Sequence, residues 1–185
     1  MNVGLVITAA GESIRFGTKN KLLSQLFNHS ILYHVIRRFY TILEIKVCVI
    51  TASKNAIEAY KKEIKGLIDA PWPIVCIEGG STRKESVQIA VSHLGECSKV
   101  IIHDAARPNV SKDLLQKLWI SSLAHSAVIP GLKITDTIKR ISDKNMVVET
   151  ISRDELIKVQ TPQIFDLKLL KKAYKKIKED QLTDE

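Results

Sequence analysis

Three short segments of the chain carry side chains whose types and spacing could handle phosphates. The first, AAGESIRFGTKNK over 9–21, follows an apolar run and opens with residues too small to obstruct a ligand. Small residues let backbone N–H groups approach a polyphosphate, while Arg15 and Lys21 add positive charge for its oxygens. The segment is not a dinucleotide fingerprint, because after Gly11 it lacks the second glycine of that pattern. Nor is it a Walker A loop: five residues separate Gly11 from Gly17, and Thr18 stands between Gly17 and Lys19. Taken alone, it also reads as an ordinary strand-to-helix turn.

The second segment, GGSTRKES over 79–86, pairs a flexible turn with the start of a helix and its unpaired N–H donors. Ser81 is placed to cap that helix, a role compatible with ligand binding. The third, HDAARP over 103–108, sets a carboxylate and a guanidinium at a strand end with two alanines between them. An arginine fork there can hold a phosphate through parallel hydrogen bonds, and Asp104 can accept hydroxyl protons or hold the waters of a metal ion. A purely structural alternative is an Asp104–Arg107 pair that steadies the loop.

Parallel strands joined by crossover helices would position these segments. Short apolar runs at 3–8, 46–50, 74–77, 99–103 and 127–130 alternate with amphipathic stretches at 31–42, 54–66, 83–94 and 112–124. The expected fold is α/β, a Rossmann-like mostly parallel sheet with helices on both faces, and ligands bind beyond the C-terminal strand ends of such sheets. After Pro130 the rhythm changes. ITDTIKRI and MVVETIS flank a turn at 142–145 and read as a protruding β-hairpin arm, about 133–163. A lone two-stranded ribbon is marginal in water, so the arm predicts a homodimer. The chain reads as a single domain over 1–185, without internal repeat or linker.

Composition bounds the rest. With 185 residues and 45% hydrophobic content, one core forms without disulfide or structural metal. Cys48, Cys76 and Cys97 are odd in number and far apart, and Cys48 and Cys76 sit in strand-like runs as small hydrophobes. The net charge of +8 invites a nucleic-acid reading. Six of the lysines, however, fall within 168–178, where Leu167, Leu170, Tyr174 and Ile177 recur at helical spacing, so they form the wet face of an amphipathic helix. With aromatic residues at 5%, little is available for base stacking. No apolar run is long enough to span a bilayer and no leader pattern opens the chain, which predicts a cytoplasmic protein with neither membrane nor nucleic acid as partner. His29, His34, His93 and His125 lack ligand spacing, and His103 reads as a buttress of its loop.

In combination these segments resemble the 2-C-methyl-D-erythritol 4-phosphate cytidylyltransferases. The resemblance rests on Ala9-Ala10-Gly11 with Arg15 and Asn20-Lys21, Gly79-Gly80 with Arg83 and Ser86, HDAARP, DTIKR over 136–140, Arg153, QTPQ over 160–163, and Thr183-Asp184. It implies transfer of CMP from CTP to a small polyol phosphate with release of diphosphate, in isoprenoid precursor synthesis. By carry-over, Arg15 and Lys21 stabilise the transition state. Ala9, Ala10, Gly11, Gly80, Ser81, Ser86, Asp104 and Ala105 hold the nucleotide, where small donors suit a pyrimidine. Asp104, Arg107, Thr137, Arg153 and Thr161 hold the acceptor, Arg153 orienting its attacking phosphate and some of them reaching a neighbouring subunit through the arm. For Thr137 and Arg153, cross-strand pairing within the arm is the plain alternative. The resemblance also implies Mg2+ or another divalent cation, with metal ligands unassigned.

Thr8 and Ser13 stand where the family pattern has proline and glycine, and the interval from Arg15 to Lys21 is a residue shorter. The sequence ends at Glu185, short of the pattern's final strand and helix. The same loops would also serve a cytidylyltransferase for another polyol phosphate such as ribitol 5-phosphate, or a nucleotide-binding protein without turnover.

Overall fold

The computed structural model describes residues 1–11, 20–42 and 44–176. Strand β1 (Val3–Ala9) is followed by a small ribbon of β2 (Gln25–Leu26) and β3 (His29–Ser30), then helix α1 (Ile31–Arg38). β4 (Ile45–Ala52), α2 (Ile57–Lys65), β5 (Ile74–Glu78), α3 (Arg83–Ser92), β6 (Lys99–Asp104) and α4 (Lys112–Ala124) continue the alternation. The later elements are β7 (Ala127–Val128), β8 (Gly131–Lys133), β9 (Ile138–Ile141), β10 (Val147–Ile151), β11 (Ile157–Val159), β12 (Gln163–Asp166) and α5 (Leu167–Tyr174).

The central sheet runs β5-β4-β1-β6-β12-β7. β5, β4, β1 and β6 are parallel, whereas β12 pairs antiparallel with both β6 and β7. Side-chain alternation along β1 sorts the two faces. Val3, Leu5, Ile7 and Ala9 join Leu32, Val35 and Ile36 of α1, Tyr60 of α2 and Leu115 and Leu118 of α4. Val6 joins Val87, Ala90 and Val91 of α3 with Leu167, Leu170 and Tyr174 of α5 on the other. Helices therefore cover both faces, as the periodicity predicts.

Where the structure departs from the sequence reading, the reasons are local. The first helix stops at Arg38 and tightens into a 3-10 turn over Phe39–Thr41. The run expected at 127–130 pairs over only Ala127–Val128. The arm is two ladders, β8 with β11 and β9 with β10, and β9 runs into β10 through a turn in which Asn145 N–H donates to the Ser142 carbonyl (2.9 Å) and Asn145 takes a positive φ of 57°. Gln163, expected at the arm's end, belongs to the central sheet, where its hydrogen-bonded register opposite Ile102 claims it. Arm side chains stay exposed, among them Ile141, Met146, Val147 and Val148. No helix among the described residues is long and apolar enough to cross a membrane. Burial raises the Cys48 thiol, and Cys76, half-buried on β5, is pushed up to about 11, so both stay protonated.

Candidate active site

A cleft of about 470 Å³ opens where the C-terminal ends of β1 and β6 meet the turn from β5 into α3. Thr8, Ala9, Ala10 and Gly11 form one wall, Gly80–Arg83 and Ser86 another, and Lys21, Asp104 and Ala106 complete it. Strands that end together thus gather residues separated widely in sequence. Among the described residues, a Cβ added at Gly11 would meet nothing within 4 Å, so this wall of the cleft is open there. Gly79 differs: a Cβ there would stand 2.6 Å from the Ala10 Cβ, so only glycine lets the second loop pass against the first.

Lys21 opens a 3-10 turn, Lys21–Leu23, capped by Asn20, whose Oδ1 accepts the Leu22 N–H at 3.0 Å. Leu22 is buried beneath it, which anchors the turn and sets Lys21 at the cleft. Arg15, Thr183 and Asp184 lie outside the described residues.

The helix cap falls one residue later than expected. Thr82, not Ser81, caps α3, its hydroxyl accepting the Glu85 N–H while the Glu85 carboxylate accepts the Thr82 N–H. Ser81 instead donates both its N–H and its hydroxyl to Glu85 Oε2, at 2.7 and 2.6 Å. These donors hold the Glu85 carboxyl below its ordinary value. Gly80 N–H donates to Ser86 Oγ at 3.1 Å. The donors of this turn are thus folded back onto α3.

Asp104 is the electrostatic centre. Arg83 Nε donates to its Oδ1 at 3.1 Å and Arg107 Nε to its Oδ2 at 2.9 Å. Burial pushes the Asp104 carboxyl up, but the two guanidinium groups outweigh that and leave it below its usual range. Thr8 adds a hydroxyl at 3.3 Å from Oδ1, a contact that a proline at this position could not make. Arg83 is the site residue that the sequence reading left without a role. Its signal was a cation at the start of the helix that follows a glycine turn.

Behind Asp104 lies a buried relay. His103 is fully buried, and its Nε2 stands 3.0 Å from the Arg107 carbonyl, which can only accept; Nε2 therefore carries the proton. Nδ1 accepts from the Thr161 hydroxyl at 2.9 Å, and the Thr161 oxygen accepts the Asp104 N–H at 3.3 Å. Burial lowers the His103 pKa to about 4 and keeps the ring neutral. His103 buttresses its loop as expected, and Thr161, buried with its hydroxyl committed, supports Asp104 from behind. Ala105 is buried in the core with its N–H donated to the Thr8 carbonyl at 3.0 Å, so Ala106 is the alanine of this loop that lines the cleft. Arg107 also donates to the Gln160 side chain. Thr137 and Arg153 lie in the exposed arm rather than on the cleft wall, and the Arg153 guanidinium donates to the Thr135 carbonyl.

A family model for 2-C-methyl-D-erythritol 4-phosphate cytidylyltransferase matches residues 3–185. The enzyme of that name from Dehalococcoides mccartyi is 34% identical over 176 residues, covering 95% of this chain and 77% of its own. Its counterpart from Alkaliphilus metalliredigens is 35% identical over 175 residues, covering 94% and 73%. Among solved structures, 4-diphosphocytidyl-2C-methyl-D-erythritol synthase from Anaerococcus prevotii superposes with a TM-score of 0.83 at 27% identity, over 99% of this chain and 80% of that one. The bifunctional IspDF of Campylobacter jejuni gives 0.81 at 31% identity, over all of this chain (100%) and 45% of that one. With three loops converging on one cleft and these similarities running nearly its whole length, the chain belongs to the 2-C-methyl-D-erythritol 4-phosphate cytidylyltransferase family.

Proposed function

We propose that this cleft carries the family's reaction, the transfer of CMP from CTP to 2-C-methyl-D-erythritol 4-phosphate, with residue roles as follows. An acceptor phosphate oxygen attacks the α-phosphorus of CTP, a new O–P bond forms, and the bond to the β-phosphate breaks to release diphosphate. Both reactants are anionic, so cations fixed in advance around the transferring group contribute most to the rate. The observation that carries this reading is the convergence of Lys21, the glycine turn and the Arg83–Asp104 pair on one cleft.

Lys21 neutralises charge developing at the α-phosphate, with Arg15 assigned to the same task by the family pattern alone. Ala9, Ala10, Gly11, Gly80, Ser81 and Ser86 bound the nucleotide, and Asp104 stands between nucleotide and acceptor. For Gly80 and Ser81 to hold phosphate oxygens, their N–H groups exchange Ser86 and Glu85 for the ligand, a small rearrangement of the helix cap. Arg107 binds the acceptor from the outer side of Asp104, and Thr161 acts through the loop that it supports. Asp104 is the one carboxylate among the described residues that line the cleft, and a magnesium ion carried by a triphosphate needs only one or two carboxylates from the protein. Asp104 would hold such a cation, which would screen the triphosphate and make diphosphate a better leaving group.

The arm supports a homodimer, because its exposed Ile141, Val147 and Val148 gain a cover only from another surface. In that arrangement Thr137 and Arg153 serve the neighbouring subunit's acceptor. The enzyme works in the cytoplasm. The test is diphosphate release from CTP with each acceptor in turn. Turnover with methylerythritol phosphate, abolished by EDTA and restored by magnesium, is expected; turnover with ribitol phosphate alone, or CTP binding without any release, refutes it. Lys21→Ala should lower kcat far more than it weakens CTP binding.

A further inference from the structure

Asn20, the residue that caps the turn bearing Lys21, is held from a helix residue 40 positions away in sequence. Tyr60 lies on α2 at 2% exposure, with its ring in the core beneath the sheet face. Its hydroxyl leaves that core to meet the half-buried side-chain amide of Asn20: Nδ2 donates to the hydroxyl at 2.9 Å, and the hydroxyl stands 3.1 Å from Oδ1. The orientation of the amide is set from its other side, because Oδ1 accepts the Leu22 N–H at 3.0 Å and so must be oxygen. The Asn20 carbonyl also accepts the Leu23 N–H at 3.1 Å. One amide thereby joins a rigid, buried phenol to the turn that carries Lys21.

We infer that Tyr60 is a positioning residue for the transfer reaction, clamping Asn20 so that the capped turn presents Lys21 to the cleft. This rests on the role given to Lys21 above. A lysine side chain has a long flexible stem, and effective catalysis requires that its starting point not wander. Burial of Leu22 fixes one side of the turn, and the Tyr60–Asn20 contact fixes the other. Without the phenol oxygen, the Asn20 amide loses this contact, and the turn keeps only its cap and the burial of Leu22.

The experiment compares Tyr60→Phe, Asn20→Ser, the double variant and Lys21→Ala in the full chain. Serine retains an oxygen for the Leu22 N–H but offers no amide to Tyr60. Tyr60→Phe and Asn20→Ser should each lower kcat about fivefold, the size of one net hydrogen bond, with KM for CTP held within about twofold. The double variant should be no slower than the worse single one, since both remove the same contact. Normal kcat in Tyr60→Phe, beside a crippled Lys21→Ala, overturns the clamp and spares the role of Lys21; normal kcat in Lys21→Ala removes that role itself. Additive losses in the double variant also overturn the clamp. If Tyr60→Phe does not fold by circular dichroism, Asn20→Ser alone decides, and its normal kcat refutes the inference.

Discussion

Acidification is expected to loosen this fold through one side chain, His103. In the folded chain its pKa is lowered from 6.5 to about 4, because the ring is fully buried, with the nearby Arg107 and Arg83 guanidinium groups pushing more weakly in the same direction. Between those values the unfolded chain binds a proton that the folded chain refuses, so stability falls as pH falls, by about 1.4 kcal/mol per unit. The loss begins near 6.5, is complete below about 4, and reaches roughly 2 kcal/mol at about pH 5. The assay is urea denaturation followed by circular dichroism from about pH 7.5 to pH 5, on the natural chain and on His103→Gln. Glutamine keeps a donor for the Arg107 carbonyl and does not titrate in this range. The variant carries a constant offset of about 1 kcal/mol from weakened hydrogen bonding. The other histidines are common to both proteins and cancel in the difference. Asp104, with its carboxyl lowered from 3.8, contributes only below the window. If the two stability curves run parallel between about pH 7.5 and pH 5, to within about 0.5 kcal/mol, the buried neutral ring and its tautomer are refuted.

Three other outcomes follow from the geometry. Arg107→Ala should raise KM for the acceptor about tenfold while costing under about 1 kcal/mol of stability, since its partly exposed guanidinium is screened by water; unchanged kinetics would leave Arg107 a loop strut. Thr82→Ala should cost about 1 kcal/mol in thermal or urea unfolding by removing the α3 cap, and an equal loss from Ser81→Ala would contradict the assignment of the cap to Thr82. Val148→Lys in the arm should leave the monomer fold intact and shift the proposed dimer to monomer in sedimentation, and an unchanged dimer would move the interface elsewhere.

The strands and the loops that follow them were legible in the sequence because each rests on local regularities. β1, β4, β5 and β6 are each built around a short apolar run, and small or glycine residues mark the turns after β1 and β5. The α5 lysines behaved as their spacing implied, with Leu167, Leu170 and Tyr174 buried beneath them. Chemistry-bearing residues at strand ends could therefore be named before their distances were known.

What only the tertiary structure decided is pairing across long separations. QIFD over Gln163–Asp166 has no period strong enough to declare a strand, and it becomes β12 because β6 offers an open edge to be paired. Nothing local distinguishes Ala105 from Ala106, yet one enters the core and the other faces the cleft, because the Ala105 N–H is drawn to Thr8 of the neighbouring strand. Arg83 reaches Asp104, His103 finds Thr161 and Tyr60 finds Asn20 for the same reason. Local sequence sets backbone propensity and polarity, but a buried polar atom takes whichever partner the fold brings within reach, and that choice is made by packing.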